Sequence, residues 1–172
     1  EADKREPVAT YDWTNYEEGI YVGYRWFDKQ GMQVSYPFGY GLSYTSFEYS
    51  EPAVQIDGGK VNVSVTVTNT GAVAGKEAVQ LYVAAPASSL DKPVKELKAY
   101  AKTKALEPGE SQVLKMSFDT IELASYDEAQ SAWVVDGGEY SFCFGASSRD
   151  IRQVAKAAVE AQTQKTADVL HK

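Results

Sequence analysis

The 172-residue sequence holds one cysteine, Cys143, and one histidine, His171, and each scarcity removes a class of chemistry. A lone cysteine makes no internal disulfide and leaves the redox compartment open. His171 stands one residue from the end of the sequence, so a serine or cysteine triad has no credible base, and the residue reads as a solvated terminal side chain. Cysteine and histidine together are too few for a zinc cluster, so no metal site is expected. Neither a GxxxxGK[ST] loop nor a GxGxxG fingerprint occurs, and no cofactor is expected. No apolar run approaches the ~20 residues that cross a bilayer, so no membrane partner is expected. No block of like charge appears, and the formal net charge of −7 lacks the clustered basic face that nucleic acid requires. The acidity reads as a solubility device. No signal peptide is read, and the sequence begins at Glu1 rather than Met, from which a processed or truncated piece is expected, with targeting information elsewhere.

What is present is an ordinary globular composition, 44% hydrophobic and 24% charged, enough for one domain plus an appendage. Well over half of the Tyr, Trp and Phe residues lie between Tyr11 and Tyr49. An aromatic side chain buries roughly 150–250 Å² when packed, more than a short connector hides by itself. Either the following sheet folds onto this stretch, or its cover belongs to protein outside this chain.

Residues 1–17 show neither helical nor strand period, and Pro7 opposes helix. Asn15 is a candidate cap, with Glu17 and Glu18 in first-turn positions. Ile20, Tyr24 and Phe27 then recur at helical spacing with Val22 and Trp26, which predicts a short helix over about 19–29 that stops near Gly31. Tyr36 to Leu42 reads as an irregular turn. From Phe47 the period is two. Val61, Val63, Val65 and Val67 alternate with polar residues, and Val79, Leu81 and Val83 do likewise. Leu97, Ala99 and Ala101 form a third strand, and Leu114, Met116 and Phe118 a fourth. Trp133 to Gly145 reads as a hairpin turning at Asp136-Gly137-Gly138, with Tyr140, Phe142 and Phe144 on one face. Ile151 to Ala161 reads as a closing edge strand, and Thr163 to Lys172 as a frayed helix or disordered tail. Short strands joined by turns, with no helical pattern between them, predict an all-β, immunoglobulin-like antiparallel sandwich. The Cys–Trp–Cys spacing of antibody domains is absent, which favours the fibronectin type III-like variant.

No catalytic residue emerges. Carboxylate pairs such as Glu17/Glu18 and Asp127/Glu128 read as solvated surface charge, although paired carboxylates are what glycoside hydrolysis uses. Trp13, Trp26 and Tyr40 offer faces on which a sugar can stack; packing at a domain junction is the blander alternative. Within 51–172 the later aromatics fall at core-alternating positions, and no solvent-facing row is expected there. Cys143 follows the strand alternation as a small filler. Asn62-Val63-Ser64 matches a glycosylation acceptor inside a strand.

The stretches EGIYVGYRWFD (Glu18–Asp28) and YPFGYGLSYTSFEYS (Tyr36–Ser50) resemble the junction before the C-terminal domain of glycoside hydrolase family 3 enzymes, the β-glucosidases and their exo-acting relatives. The likeness continues through Val65–Val83, Pro93–Ser111 and Trp133–Arg152, with Ala99-Tyr100 where the family often has Gly-Phe. The resemblance implies a fibronectin type III-like domain that follows a β/α barrel and an α/β sandwich domain. It implies retaining hydrolysis of terminal β-linked sugars, by an aspartate in a Ser-Asp-Trp setting and a glutamate acid/base. This sequence holds no Ser-Asp-Trp, so no catalytic residue is carried over. For the full-length enzyme the resemblance implies a periplasmic or secreted location.

The expected organisation is then 1–46 as the end of the preceding domain and linker, 47–161 as the sandwich, and 162–172 as the tail. The expected partners are the remainder of the same glycosidase and, for the full enzyme, its carbohydrate substrate. Tyr24, Trp26, Phe27, Phe38 and Tyr40 are the expected interdomain packing residues, exposed in the isolated piece and prone to self-association. A stand-alone carbohydrate-binding module or an adhesive fibronectin-like module is the rival reading.

Overall fold

The structure, a computed structural model, describes residues 17–167. Two antiparallel sheets face each other. One is three-stranded, ordered β1 (Phe47–Asp57), β2 (Lys60–Asn69) and β5 (Ser111–Asp119). The other is four-stranded, ordered β4 (Glu96–Lys102), β3 (Ala78–Ala84), β8 (Gly138–Gly145) and β9 (Ile151–Val159). A small third sheet places β7 (Ala132–Val135) between β6 (Ser125–Asp127) and β10 (Gln162–Lys165). The immunoglobulin-like sandwich expected from the period of two is therefore present.

Its core is the set of alternating residues read from the sequence. Val61, Val63, Val65 and Val67 of β2, with Leu114, Met116 and Phe118 of β5, pack against Val79, Leu81 and Val83 of β3 and Tyr140, Phe142 and Phe144 of β8. β1 and β2 join through Gly58-Gly59, whose φ values of 56° and 75° give the mirror-image turn that matches strand twist. Edge strand β1 is interrupted between Ser50 and Ala53, with Glu51 at φ 51° and Pro52 beside it. A bulge with proline there blunts the open edge against stray pairing.

Three expectations are corrected. The helix predicted over about 19–29 is confined to α1, Tyr24–Lys29. Gly23, at φ 62° and ψ −129°, holds a conformation outside the helix and starts it late. The Asp136-Gly137-Gly138 hairpin does not form, because β7 pairs with β6 and β10 while β8 pairs with β3 and β9. The chain changes sheets here, where a Cβ on Gly137 would meet the Ala161 backbone at 3.3 Å and Gly138 sits at φ 148° beside Pro86. Within the tail expected as helix or disorder, Gln162–Lys165 is strand β10, laid against β7. Thr166 secures its end by donating from both N–H and Oγ1 to the Ser131 carbonyl, at 3.0 and 2.8 Å. Asn15 and the rest of the lead-in before Glu17, and the tail beyond Ala167, lie outside the described residues.

Candidate functional site

β3 is buried on both faces. Val79, Leu81 and Val83 face the core, and on the other side Gln80 and Tyr82 are buried as well. A strand buried on both sides needs a cover on each. The outer cover is the segment from Glu18 to Tyr40, which lies over the four-stranded sheet as a strap.

The strap is held by specific contacts. The Tyr24 ring meets Tyr82 edge-on at 5.8 Å and stacks with Phe38 at 4.9 Å. Its hydroxyl accepts from the Leu97 N–H at 2.9 Å, which occupies a donor of β4. Buried Tyr21 donates to Asp91 at 2.6 Å, and Lys29 sits over its ring at 3.6 Å while pairing with Asp91 at 2.8 Å. Burial first, and the hydrogen bond to Asp91 second, push the Tyr21 phenol up, while Lys29 and Tyr21 together hold the Asp91 carboxyl down.

Asp28, largely hidden from solvent, takes Lys95 at 2.8 Å and Arg149 at 3.1 Å. Arg149 also donates to the Met32 carbonyl at 2.7 Å, and the Ser148 N–H to the Phe38 carbonyl at 2.9 Å. The Gln80 amide donates to the carbonyls of Gly39 and Ala146, at 3.0 and 2.8 Å, and accepts from Tyr82 at 2.6 Å. Gly39, at φ 79°, is required there because a Cβ would strike the Gln80 side chain.

The outward side of the strap and the linker after it is a run of uncovered apolar residues. Ile20, Val22, Trp26, Phe27, Met32, Tyr36, Phe38, Tyr40, Leu42 and Tyr44 are all exposed, Leu42 at 90% and Tyr44 at 102%. Beside them lies an open cleft of about 680 Å³. Within it Arg152 pairs with Glu77 at 3.2 Å and with Asp150 at 2.9 Å.

Of the five expected packing residues, Trp26, Phe27, Phe38 and Tyr40 are exposed along this side, whereas Tyr24 points inward and belongs to the strap's own anchorage. Tyr40 pairs with Tyr36 at 5.3 Å rather than with Trp26, and Trp13 lies outside the described residues. Glu17 and Glu18 are exposed, and Asp127 is occupied in capping its own turn through the N–H groups of Ala129 and Gln130. Burial pushes the Cys143 thiol up, which suits an inert strand residue. Among the described residues no group of three His, Cys, Asp or Glu side chains converges as a metal site.

Sequence reasoning missed Asp28, Gln80, Lys95 and Arg149. One signal was present: in Val79-Gln80-Leu81-Tyr82-Val83 the positions between the core residues are not solvated charge but an amide and a ring. The same reasoning also missed Tyr126 and Trp133, which are exposed within the range where no solvent-facing row was expected.

Residues 77–148 match the Fn3-like family, the fibronectin type III-like domain. The chain is 45% identical over 141 residues to β-glucosidase BoGH3A of Bacteroides ovatus, a match covering 80% of this chain and 19% of that protein. It is 42% identical over 147 residues to an exo-α-(1→6)-L-arabinopyranosidase of Bifidobacterium breve, covering 85% and 19%. Among solved structures, β-glucosidase 3B of Thermotoga neapolitana in complex with glucose superimposes with a TM-score of 0.84 at 47% identity, over 88% of this chain and 21% of that one. The chain thus spans about a fifth of the length of the curated relatives it matches. With a fibronectin type III-like sandwich preceded by a docked aromatic strap, the chain belongs to glycoside hydrolase family 3 as the C-terminal region of its enzymes.

Proposed function

We propose that this chain braces the catalytic part of a glycoside hydrolase family 3 enzyme, a β-glucosidase-like exo-acting hydrolase, and performs no chemistry itself. The observation that carries the reading is the two-sided strap. Its inner side is locked to the sandwich through Asp28, Tyr24 and the Gly39 carbonyl, while many of its other aromatic and aliphatic residues remain uncovered. A rigidly held apolar face is an interface in waiting. Burying one such side chain contributes about 1.5–3 kcal/mol, so a handful of them joins two domains firmly. The partner is the remainder of the same glycosidase, and residues up to 46 supply the junction. With that partner removed, the face drives self-association.

The retaining hydrolysis belongs to an aspartate and a glutamate outside this sequence. The glycone is set there too, since close relatives of this region include proteins named for glucosides and for arabinopyranosides. The test compares Trp26→Ala in the parent enzyme and in the 172-residue chain. The expected result is a melting temperature lowered by several degrees in the parent and unchanged in the chain alone. An equal effect in both would make Trp26 an internal packing residue and refute the bracing role. The chain alone is expected to release no sugar from an aryl β-glucoside, and turnover by it would overturn the second half of the proposal.

A further inference from the structure

The small sheet carries a second aromatic group, made by residues outside the strap. Tyr126, Trp133 and Gln164 are register partners on β6, β7 and β10, so their side chains leave the sheet on the same side. The Tyr126 and Trp133 rings meet edge to face, with centroids 5.3 Å apart. They remain 43% and 45% exposed, and Gln164 is exposed beside them. The Tyr126 and Thr166 hydroxyls lie 3.5 Å apart at the margin of the row. Neighbouring strands are about 4.8 Å apart, so the three positions span about 10 Å. A cross-strand aromatic pair stabilises a sheet, which explains the ring contact. It does not explain why an amide continues the row and why none of the three carries charge in a chain of net charge −7.

We infer that this row is a binding platform for a neutral oligosaccharide chain. A pyranose has an apolar face of C–H groups and a rim of hydroxyls that both donate and accept. Indole and phenol faces match the first. The Gln164 amide and the Tyr126 and Thr166 hydroxyls match the second. The row's length suits two consecutive sugar units. With no guanidinium or ammonium in the row, a phosphate, nucleic acid or acidic glycan finds no counter-charge. Such a platform, joined to a glycosidase, raises the local concentration of polymeric substrate without touching the reacting bond. The inference takes only its ligand class from the function proposed above.

The test titrates the full 172-residue chain with cellohexaose, xylohexaose and mannohexaose, following the Trp indole N–H signals. The expected result is saturable binding of at least one of these, weakened about tenfold or more in Trp133→Ala and measurably in Gln164→Ala, and unchanged in Trp26→Phe. If Trp133→Ala does not fold, Gln164→Ala and Tyr126→Phe carry the test, since each keeps the strand pairing. Absence of saturable binding by all three sugars overturns the inference, as does binding indifferent to the row substitutions. Protection of the Trp133 indole by the rest of the parent enzyme also overturns it, because the row is then a protein interface. A chain that docks normally in its parent yet binds no sugar refutes this inference and leaves the bracing function standing.

Discussion

Asn69 lies fully buried at the end of β2 and uses every hydrogen-bonding position of its amide. Nδ2 donates to the carbonyls of Val73 and Leu106, each at 2.8 Å. Oδ1 accepts from Thr45 Oγ1 at 2.7 Å and from the Gly71 N–H at 3.0 Å. One side chain thus ties the end of the linker, the loop after β2 and the loop before β5. Asn69→Ala leaves these groups unpaired inside the protein and is expected to cost about 2–4 kcal/mol, read from the urea midpoint. Three buried tyrosines set the alkaline limit. Burial first pushes the phenols of Tyr49, Tyr82 and Tyr140 up, Tyr140 to about 12, and nearby carboxylates add to the rise at each. A raised folded value means the folded state keeps its proton after the unfolded state, near pH 10, has lost it. The stability these groups support is intact below about pH 10 and falls as pH rises beyond it. Urea midpoints are expected to drop across about pH 10–12, with phenolate absorbance from the buried rings appearing together with unfolding. Midpoints flat across that window would contradict the assignment.

At the scale of elements, the strap is held by partners distant in sequence, and Asp28 takes two of them, Lys95 and Arg149. Removing the Asp28 carboxylate leaves Lys95 and Arg149 facing each other without a counter-charge under the helix. Asp28→Ala is therefore expected to release residues 21–40 at a cost of about 3 kcal/mol, while the sandwich persists. Hydrogen exchange reads this directly: faster exchange across 21–40 and unchanged protection in β2, β5 and β8. Alternating valines and phenylalanines made the sandwich legible in the sequence, because burial of one strand face follows from a period of two. The connections were less legible. Asp57-Gly58-Gly59 makes the two-residue hairpin, whereas the same tripeptide at Asp136-Gly137-Gly138 makes a crossing between sheets. The difference lies in Ala161 and Pro86, which approach those glycines from far along the chain. The strap's aromatics were visible as a group needing cover. Which of them face inward depends on Asp28 meeting Lys95 and Arg149, partners 67 and 121 residues away. β10 was missed for the same reason, since a short polar strand has no period until β7 offers it an edge.

For the molecule as a whole, the uncovered side of the strap sets its behaviour in isolation. Tyr36 at 75% exposed, with Leu42 and Tyr44 almost fully exposed, supports nothing in the sandwich. Replacing Leu42 and Tyr44 by serine is expected to reduce self-association and hydrophobic-dye binding while leaving the melting temperature within about a degree, as surface substitutions do. A large loss of stability would show that these residues serve the domain itself. The most direct test of the bracing account is hydrogen exchange of the same residues in two settings, the isolated chain and the intact parent glycosidase. Residues 20–44 are expected to become markedly more protected in the parent while the sandwich strands keep the protection they have alone. Equal exchange of 20–44 in both settings would mean that nothing covers the strap, and the account of a bracing domain would fail.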